Sequence, residues 1–224
     1  RDTDRSRGLG DVYKRQIQTI TPVFFRNQPL GCTGTIIYKM YQEAGIEIEP
    51  VIAGLMCSAI ISDTLIFKSP TCTTDDIEAA TELARIAGID PEVYGREMFG
   101  AGSNLDEKTD REIFYQDFKK FTINDVTIGI GQANAMGPED IEKIKLKELP
   151  FIDTVVGDGG LDVVYFLMTD ISAECSYVLC SGKNADTIMT LSFGVDKQKD
   201  TYILKNVVSR KKQFLPAIME AMEQ

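Results

Sequence analysis

Arg210, Lys211 and Lys212 stand in a row within Ser209-Arg210-Lys211-Lys212-Gln213, in a chain whose formal net charge is -10. Adjacent like charges repel unless an anion offsets them. The row follows a strand-like run, Thr201 to Val208, and precedes a helix-like run from Phe214. Where a strand end leads into a helix start, backbone N–H groups and guanidinium donors can converge on a phosphate. The row also reads as a solvated charge run at an element boundary.

Asp63 is the second candidate. It sits between Ile60-Ile61-Ser62 and Thr64-Leu65-Ile66-Phe67. Buried there, a carboxylate needs a hydrogen-bond set, a cation or a metal. As a turn residue it would instead bond its local backbone. Gly31-Cys32-Thr33-Gly34-Thr35 is a small-residue turn at a helix start. It can cradle an anion on backbone N–H groups or be no more than a tight turn. It lacks the lysine of a P-loop and the spacing of a dinucleotide fingerprint. Lys119 and Lys120 alternate with Phe118 and Phe121, which reads as an edge segment whose lysine stems lie along apolar surface.

Composition narrows the chemistry. The chain has no histidine, which removes imidazole acid–base catalysis and imidazole metal ligation. Five cysteines without paired spacing point to free thiols and a cytosolic setting, with no zinc site. A pI ≈ 4.6 argues against nucleic-acid binding. No run is long and apolar enough for a membrane span, and residues 1–15 are too polar for a secretory signal. A length of 224 residues suits one large or two small domains.

The elements that must position these residues follow an α/β pattern. Residues 1–16 carry five cations and no periodicity; they resemble translated adaptor sequence and are expected to be non-native. From Ile17, residues 18–25 read as a strand and exit loop, followed by helices over 36–44 and 50–61. A third helix is expected to start at a Thr74 or Asp75 cap, with Glu78 completing a capping box, and to stop at Gly88. A short helix follows from Asp90-Pro91 to about Phe99, then a linker over 101–107. Beyond it, strands are expected at 121–123 and 126–130 around an Asn124-Asp125 turn, then a helix over 138–156. Further strands are expected at 163–167, 176–180, 187–193 and 201–208, with a closing helix over 214–222.

Four fragments occur in order: Ile17 to Pro22, Asn27 to Ile36, Ser62-Asp63-Thr64 with Phe67 to Thr71, and Val208 to Gln213. Together they resemble the family II, manganese-dependent inorganic pyrophosphatases of the DHH phosphoesterase superfamily. The resemblance covers Ile17 to the C terminus, and its wording is close to the clostridial members that carry a regulatory CBS insert. No such insert lies within this chain. The implied fold is the C-terminal half of a DHH-type parallel-sheet domain (17–104), followed by a smaller α/β DHH-associated C-terminal domain with a mixed sheet (105–224).

The implied activity is hydrolysis of pyrophosphate to two phosphates by a metal-activated hydroxide. Mn²⁺ or Co²⁺ would sit in the site and Mg²⁺ would accompany the substrate. The resemblance makes Asp63 a metal ligand and makes Lys119, Arg210 and Lys211 substrate ligands. Gly31, Thr33, Ser209 and Lys212 are supporting residues. The family's Asp-His-His ligands would fall at residues 10–12, inside the adaptor-like segment, so the chain itself is expected to be inactive. The implied partners are pyrophosphate and a second copy of the intact protein, with adenine nucleotide only where an upstream CBS insert exists. The alternatives are another DHH phosphoesterase, such as an exopolyphosphatase or small-oligonucleotide nuclease, or a non-catalytic phosphate-binding module.

Overall fold

The computed structural model describes residues 21–103 and 105–223. The adaptor-like segment 1–16, the 10–12 position, the start of the expected 18–25 strand and the Asn104 boundary lie outside the described residues. Residues 21–25 form no strand.

The first part of the chain is helical among the described residues. Helix α1 (Thr33–Ala44) is capped by Cys32, whose sulfur accepts from Gly34 N at 3.2 Å, and it ends at left-handed Gly45. Helix α2 (Pro50–Asp63) opens on proline, whose fixed φ suits a first turn. It buries Ala53, Cys57, Ile60 and Ile61 completely. Helix α3 (Thr74–Ala87) is capped at Thr73, one residue before the expected cap. Thr73 and Asp76 make the capping box in place of Thr74 or Asp75 with Glu78, and Gly88 ends the helix as expected. Helix α4 (Pro91–Ser103) runs past Phe99 into the expected linker. Leu83, Ala80, Ile60 and Ile61 centre one apolar core between these helices.

The second part is a three-layer α/β unit. Helix α5 (Asp110–Gln116) is capped by Thr109 and Glu112 and was not foreseen. Strands β1 (Phe118–Ile123) and β2 (Val126–Ala135) form an antiparallel hairpin. Its turn is Asn124-Asp125, as expected, and both residues have positive φ. Helix α6 (Pro138–Val155) then leads to β3 (Val163–Asp170), which lies parallel to β2. Strand β4 (Cys175–Gly182) and the short β5 (Tyr202–Lys205) complete a mixed sheet in the order β1-β2-β3-β4-β5.

The segment expected as a strand over 187–193 is instead helix α7 (Ala185–Phe193), closed by left-handed Gly194. Its β-branched residues suggest a strand, but packing overrides so weak a preference. Met189 is fully buried in the core on one sheet face. A five-residue π-helical turn (Arg210–Phe214) runs into helix α8 (Leu215–Glu223). Strand β3 is buried along its whole length. Val163, Tyr165 and Leu167 face α7 and α8, while Val164, Phe166 and Met168 face α5 and α6.

The two parts touch through a few residues. Ile171, just after β3, is buried in the helical core. Lys68 reaches the other way, its ammonium donating to the carbonyls of Ile171 at 2.9 Å and Ser172 at 3.0 Å.

Candidate functional site

A cleft of about 840 Å³ opens between the two parts. One wall carries Gly31, Asp63 and residues 69–73; the other carries Asp117, Gln132, Asn134 and residues 208–212. The second wall lies at the C-terminal end of β2, which runs parallel to β3. Ligands of α/β sheets gather at such strand ends.

Asp63 is the last residue of α2 and is exposed. The apolar residues around it pack inward, so the carboxylate is not buried. Its position is enforced by the next turn. Leu65, Ile66 and Phe67 all have positive φ (51°, 52° and 65°), a left-handed turn made without glycine that costs about 1–2 kcal/mol per residue. Thr64 supports it: its buried hydroxyl donates to Ile60 O at 2.6 Å and accepts from Phe67 N at 3.3 Å. Ile66 N to Ile61 O (2.9 Å) and Ser69 N to Thr64 O (2.8 Å) close the turn.

The Gly31 turn is tied to the start of α3 by a different carboxylate. Asp76, fully buried, accepts from Gly31 N (2.8 Å), Thr35 Oγ1 (2.5 Å), Thr73 N (2.9 Å) and Thr73 Oγ1 (2.7 Å). Burial alone would raise its pKa, but the Thr35 and Thr73 hydroxyls and the Gly31 and Thr73 N–H groups hold it below the usual range. A side chain at Gly31 would meet Asp76 Oδ2 and Thr64 Cγ2, both at 2.9 Å. Thr33 is exposed and is not part of the cleft wall. The Cys32 thiol is pushed up to about 12 by burial and by its hydrogen bond to Asp63, so it stays a neutral donor.

The cation row is placed by the π-helical turn. Gln213 N and Phe214 N both donate to Ser209 O, at 3.0 and 3.1 Å, and Ser209 Oγ accepts from Lys212 N at 3.2 Å. Gln213 folds back to accept from Val208 N (2.9 Å) and Ser209 N (3.0 Å). Lys211 and Lys212 are exposed on the cleft wall. Arg210 is held more tightly, its side chain 11% exposed, with Nη2 donating to Asp117 Oδ1 at 2.8 Å and Nη1 to the carbonyls of Asp117 and Ile130.

Lys119 does not line this cleft. It pairs with Ile130 across the hairpin, so it shares the sheet face of Arg210's carbonyl partner and stands beside the cation row rather than within it. The structure thus brings Asp63, Gly31, Ser209, Arg210, Lys211 and Lys212 to one cleft, and leaves Lys119 and Thr33 outside its lining. Asp117, Gln132 and Asn134 were missed. Gln132 and Asn134 show in the sequence only as polar residues at the end of an otherwise apolar strand, and Asp117, between α5 and β1, carries no such signal.

The described residues do not by themselves suit a manganese centre. Among them no group of three or more His, Cys, Asp or Glu could hold a metal ion. Asp63 stands as a single carboxylate, and Asp76 has its oxygens committed to backbone and threonine donors.

Residues 96–221 match the DHHA2 domain. A probable manganese-dependent inorganic pyrophosphatase of Clostridium acetobutylicum is 45% identical over 207 residues, 92% of this chain and 66% of that protein. The manganese-dependent inorganic pyrophosphatase of Bacillus subtilis is 44% identical over 205 residues, again 92% of this chain and 66% of its own length. The chain therefore spans 66% of the length of these relatives. The crystal structure of a putative family II inorganic pyrophosphatase of Methanococcus jannaschii matches with a TM-score of 0.77 at 35% identity, covering 96% of this chain and 72% of that one. By domain, sequence and fold together, the chain belongs to the family II, manganese-dependent inorganic pyrophosphatases.

Proposed function

We propose that this chain carries the pyrophosphate-binding wall, and one metal-side carboxylate, of an enzyme that hydrolyses pyrophosphate to two phosphates. One observation carries the reading: Asp63 and the Arg210–Lys212 row, from distant parts of the sequence, line one cleft. Manganese, named for the relatives, supplies water activation in such enzymes. The residues of this chain do the rest. Lys211 holds phosphate oxygens as a point charge, with Lys212 adding supporting charge, and Arg210 offers the rigid fork that suits two of them. Lys119 adds positive potential beside the row. Gly31 keeps the opposite wall close, and Ser209 holds the turn.

The reading divides the chain into a partial DHH domain (17–104) and a substrate-binding domain (105–224), acting in the cytoplasm. Among the described residues no helix is long and apolar enough to cross a membrane. A homodimer would form through the first domain, where Val51 and Leu55 stand exposed. Adenine-nucleotide control would apply only if a CBS insert exists upstream.

The test is calorimetric titration of the chain with pyrophosphate, orthophosphate, short polyphosphate and a dinucleotide. The expected result is binding of pyrophosphate in preference to the others, without hydrolysis when Mn²⁺ is added. Tighter binding of polyphosphate or dinucleotide would transfer the chain to another DHH phosphoesterase. Hydrolysis at about 1 per second or faster would overturn the expected inactivity.

A further inference from the structure

The sheet face under α7 and α8 is apolar along Ile128 and Ile130 on β2, Tyr165 and Leu167 on β3, and Val178 on β4. At the cleft end the same alternation brings up Gln132, Thr169 and Ser176 instead. Thr169 lies directly opposite Ser176 in the β3–β4 ladder, and both are 0% exposed. A core strand would gain more from apolar residues at these positions. The polar row therefore needs another explanation.

Its hydrogen bonds supply one. Gln132 Nε2 donates to Thr169 Oγ1 at 3.0 Å and to Val208 O at 3.1 Å. Thr169 Oγ1 and Ser176 Oγ are 2.9 Å apart, and Ser176 Oγ donates to Val207 O at 2.6 Å. Each hydroxyl has one proton. Ser176 gives its proton to Val207, so the proton between the two hydroxyls is Thr169's. The bonds then run one way, from Gln132 to Thr169 to Ser176 to Val207 O, and the second amide proton of Gln132 closes on Val208 O. Strand β5 ends at Lys205, so this stretch of backbone lies beyond the ladder. Side chains hold it: Gln132 and Ser176 on its carbonyls, Gln213 on the N–H groups of Val208 and Ser209.

We propose that Gln132, Thr169 and Ser176 are positioning residues for phosphate binding. They fix residues 207–209 on the sheet and so aim Arg210 and Lys211 into the cleft. The inference rests on the pyrophosphate reading above. It assigns no contact with the ligand to the three residues; they act through the turn they hold.

Thr169→Val keeps the shape and removes the hydroxyl, and Thr169→Ser keeps the hydroxyl. The full chain carrying each change is titrated with pyrophosphate, with thermal melts in parallel. Thr169→Val is expected to weaken binding about tenfold and Thr169→Ser to stay within about twofold of the unaltered chain. In a Lys211→Ala background, Thr169→Val is expected to cost clearly less than tenfold, because one of the two cations aimed by the turn is already gone. If Thr169→Val does not fold, Gln132→Leu is read in the same way with Gln132→Asn as its amide-retaining control. A folded Thr169→Val chain with unchanged affinity overturns the inference alone. So does a full tenfold loss persisting in the Lys211→Ala background. If the unaltered chain binds no pyrophosphate, the functional reading fails, and the inference fails with it.

Discussion

Asp117 grips Arg210 at two points, its carboxylate Oδ1 on Nη2 at 2.8 Å and its own carbonyl oxygen on Nη1. The acid lies on the cleft wall and is half exposed. An incoming phosphate therefore meets a guanidinium already partnered by a carboxylate. Asp117→Asn leaves the carbonyl contacts of Arg210 in place and removes the competing charge. It is expected to tighten pyrophosphate binding about fivefold, read by calorimetry at low and moderate salt. Weaker binding would show that the carboxylate is needed to place Arg210.

Lys211 and Lys212 both line the cleft, and the pyrophosphate reading makes the first a ligand and the second a supporting charge. Lys211→Ala is expected to weaken pyrophosphate binding about tenfold and Lys212→Ala about threefold or less, with both effects shrinking as salt screens the site. Equal losses for the two would remove the distinction between ligand and supporting charge.

Lys68 is a long-range polar tie between the two parts of the chain. Its ammonium holds two carbonyls beyond β3, with Glu174 Oε1 at 3.9 Å. Lys68→Met keeps much of the stem and loses these bonds, worth about 1.5–3 kcal/mol. The two parts are expected to separate more readily, with a larger radius of gyration in X-ray scattering and weaker pyrophosphate binding. An unchanged scattering curve would refute the tie.

Glu148 on α6 is fully buried, and neither carboxylate oxygen has a hydrogen-bond partner. Burial, with Asp110 adding to it and Lys147 opposing, pushes its carboxyl up to about 8 from the usual 4.5. The folded form then binds a proton that the unfolded chain has released, so stability falls as pH rises from 4.5 to about 8. Glu148→Gln is expected to flatten that slope and raise the melting temperature at pH 8. A parallel pH–melting curve for the two proteins would contradict this.

Asp76 has the opposite sign. Its folded pKa is depressed, so its contribution is present above the usual 3.8 and lost as pH falls below it. Asp76→Asn would point an amide donor at the N–H groups of Gly31 or Thr73. The expected cost is about 2–3 kcal/mol at pH 7, measured by denaturant unfolding.

Local signals carried much of this into the sequence. Arg210 to Lys212 stood out because three cations interrupt an acidic chain, and Asp63 because it interrupts an apolar run. Helix α3 was visible from its Thr–Asp punctuation, though the cap lies one residue earlier. What was hidden depends on register. Gln132, Thr169 and Ser176 become neighbours only when β2, β3 and β4 align, and Asp117 meets Arg210 only through the hairpin and the π-helical turn. Helix α7 was misread because Thr187, Ile188 and Thr190 favour strands, while its burial against the sheet was not visible from periodicity.

The left-handed turn after Asp63 also limits how this pocket can change by insertion or deletion. Leu65, Ile66 and Phe67 are closed by backbone bonds on both sides, from Ile61 to Ser69. One residue more or fewer would rotate the α2 terminus and carry Asp63 away from the opposing cations. The connection from β2 to α6 is under no such restraint: it is two residues, Met136 and Gly137, and a side chain at Gly137 would meet nothing within 4 Å.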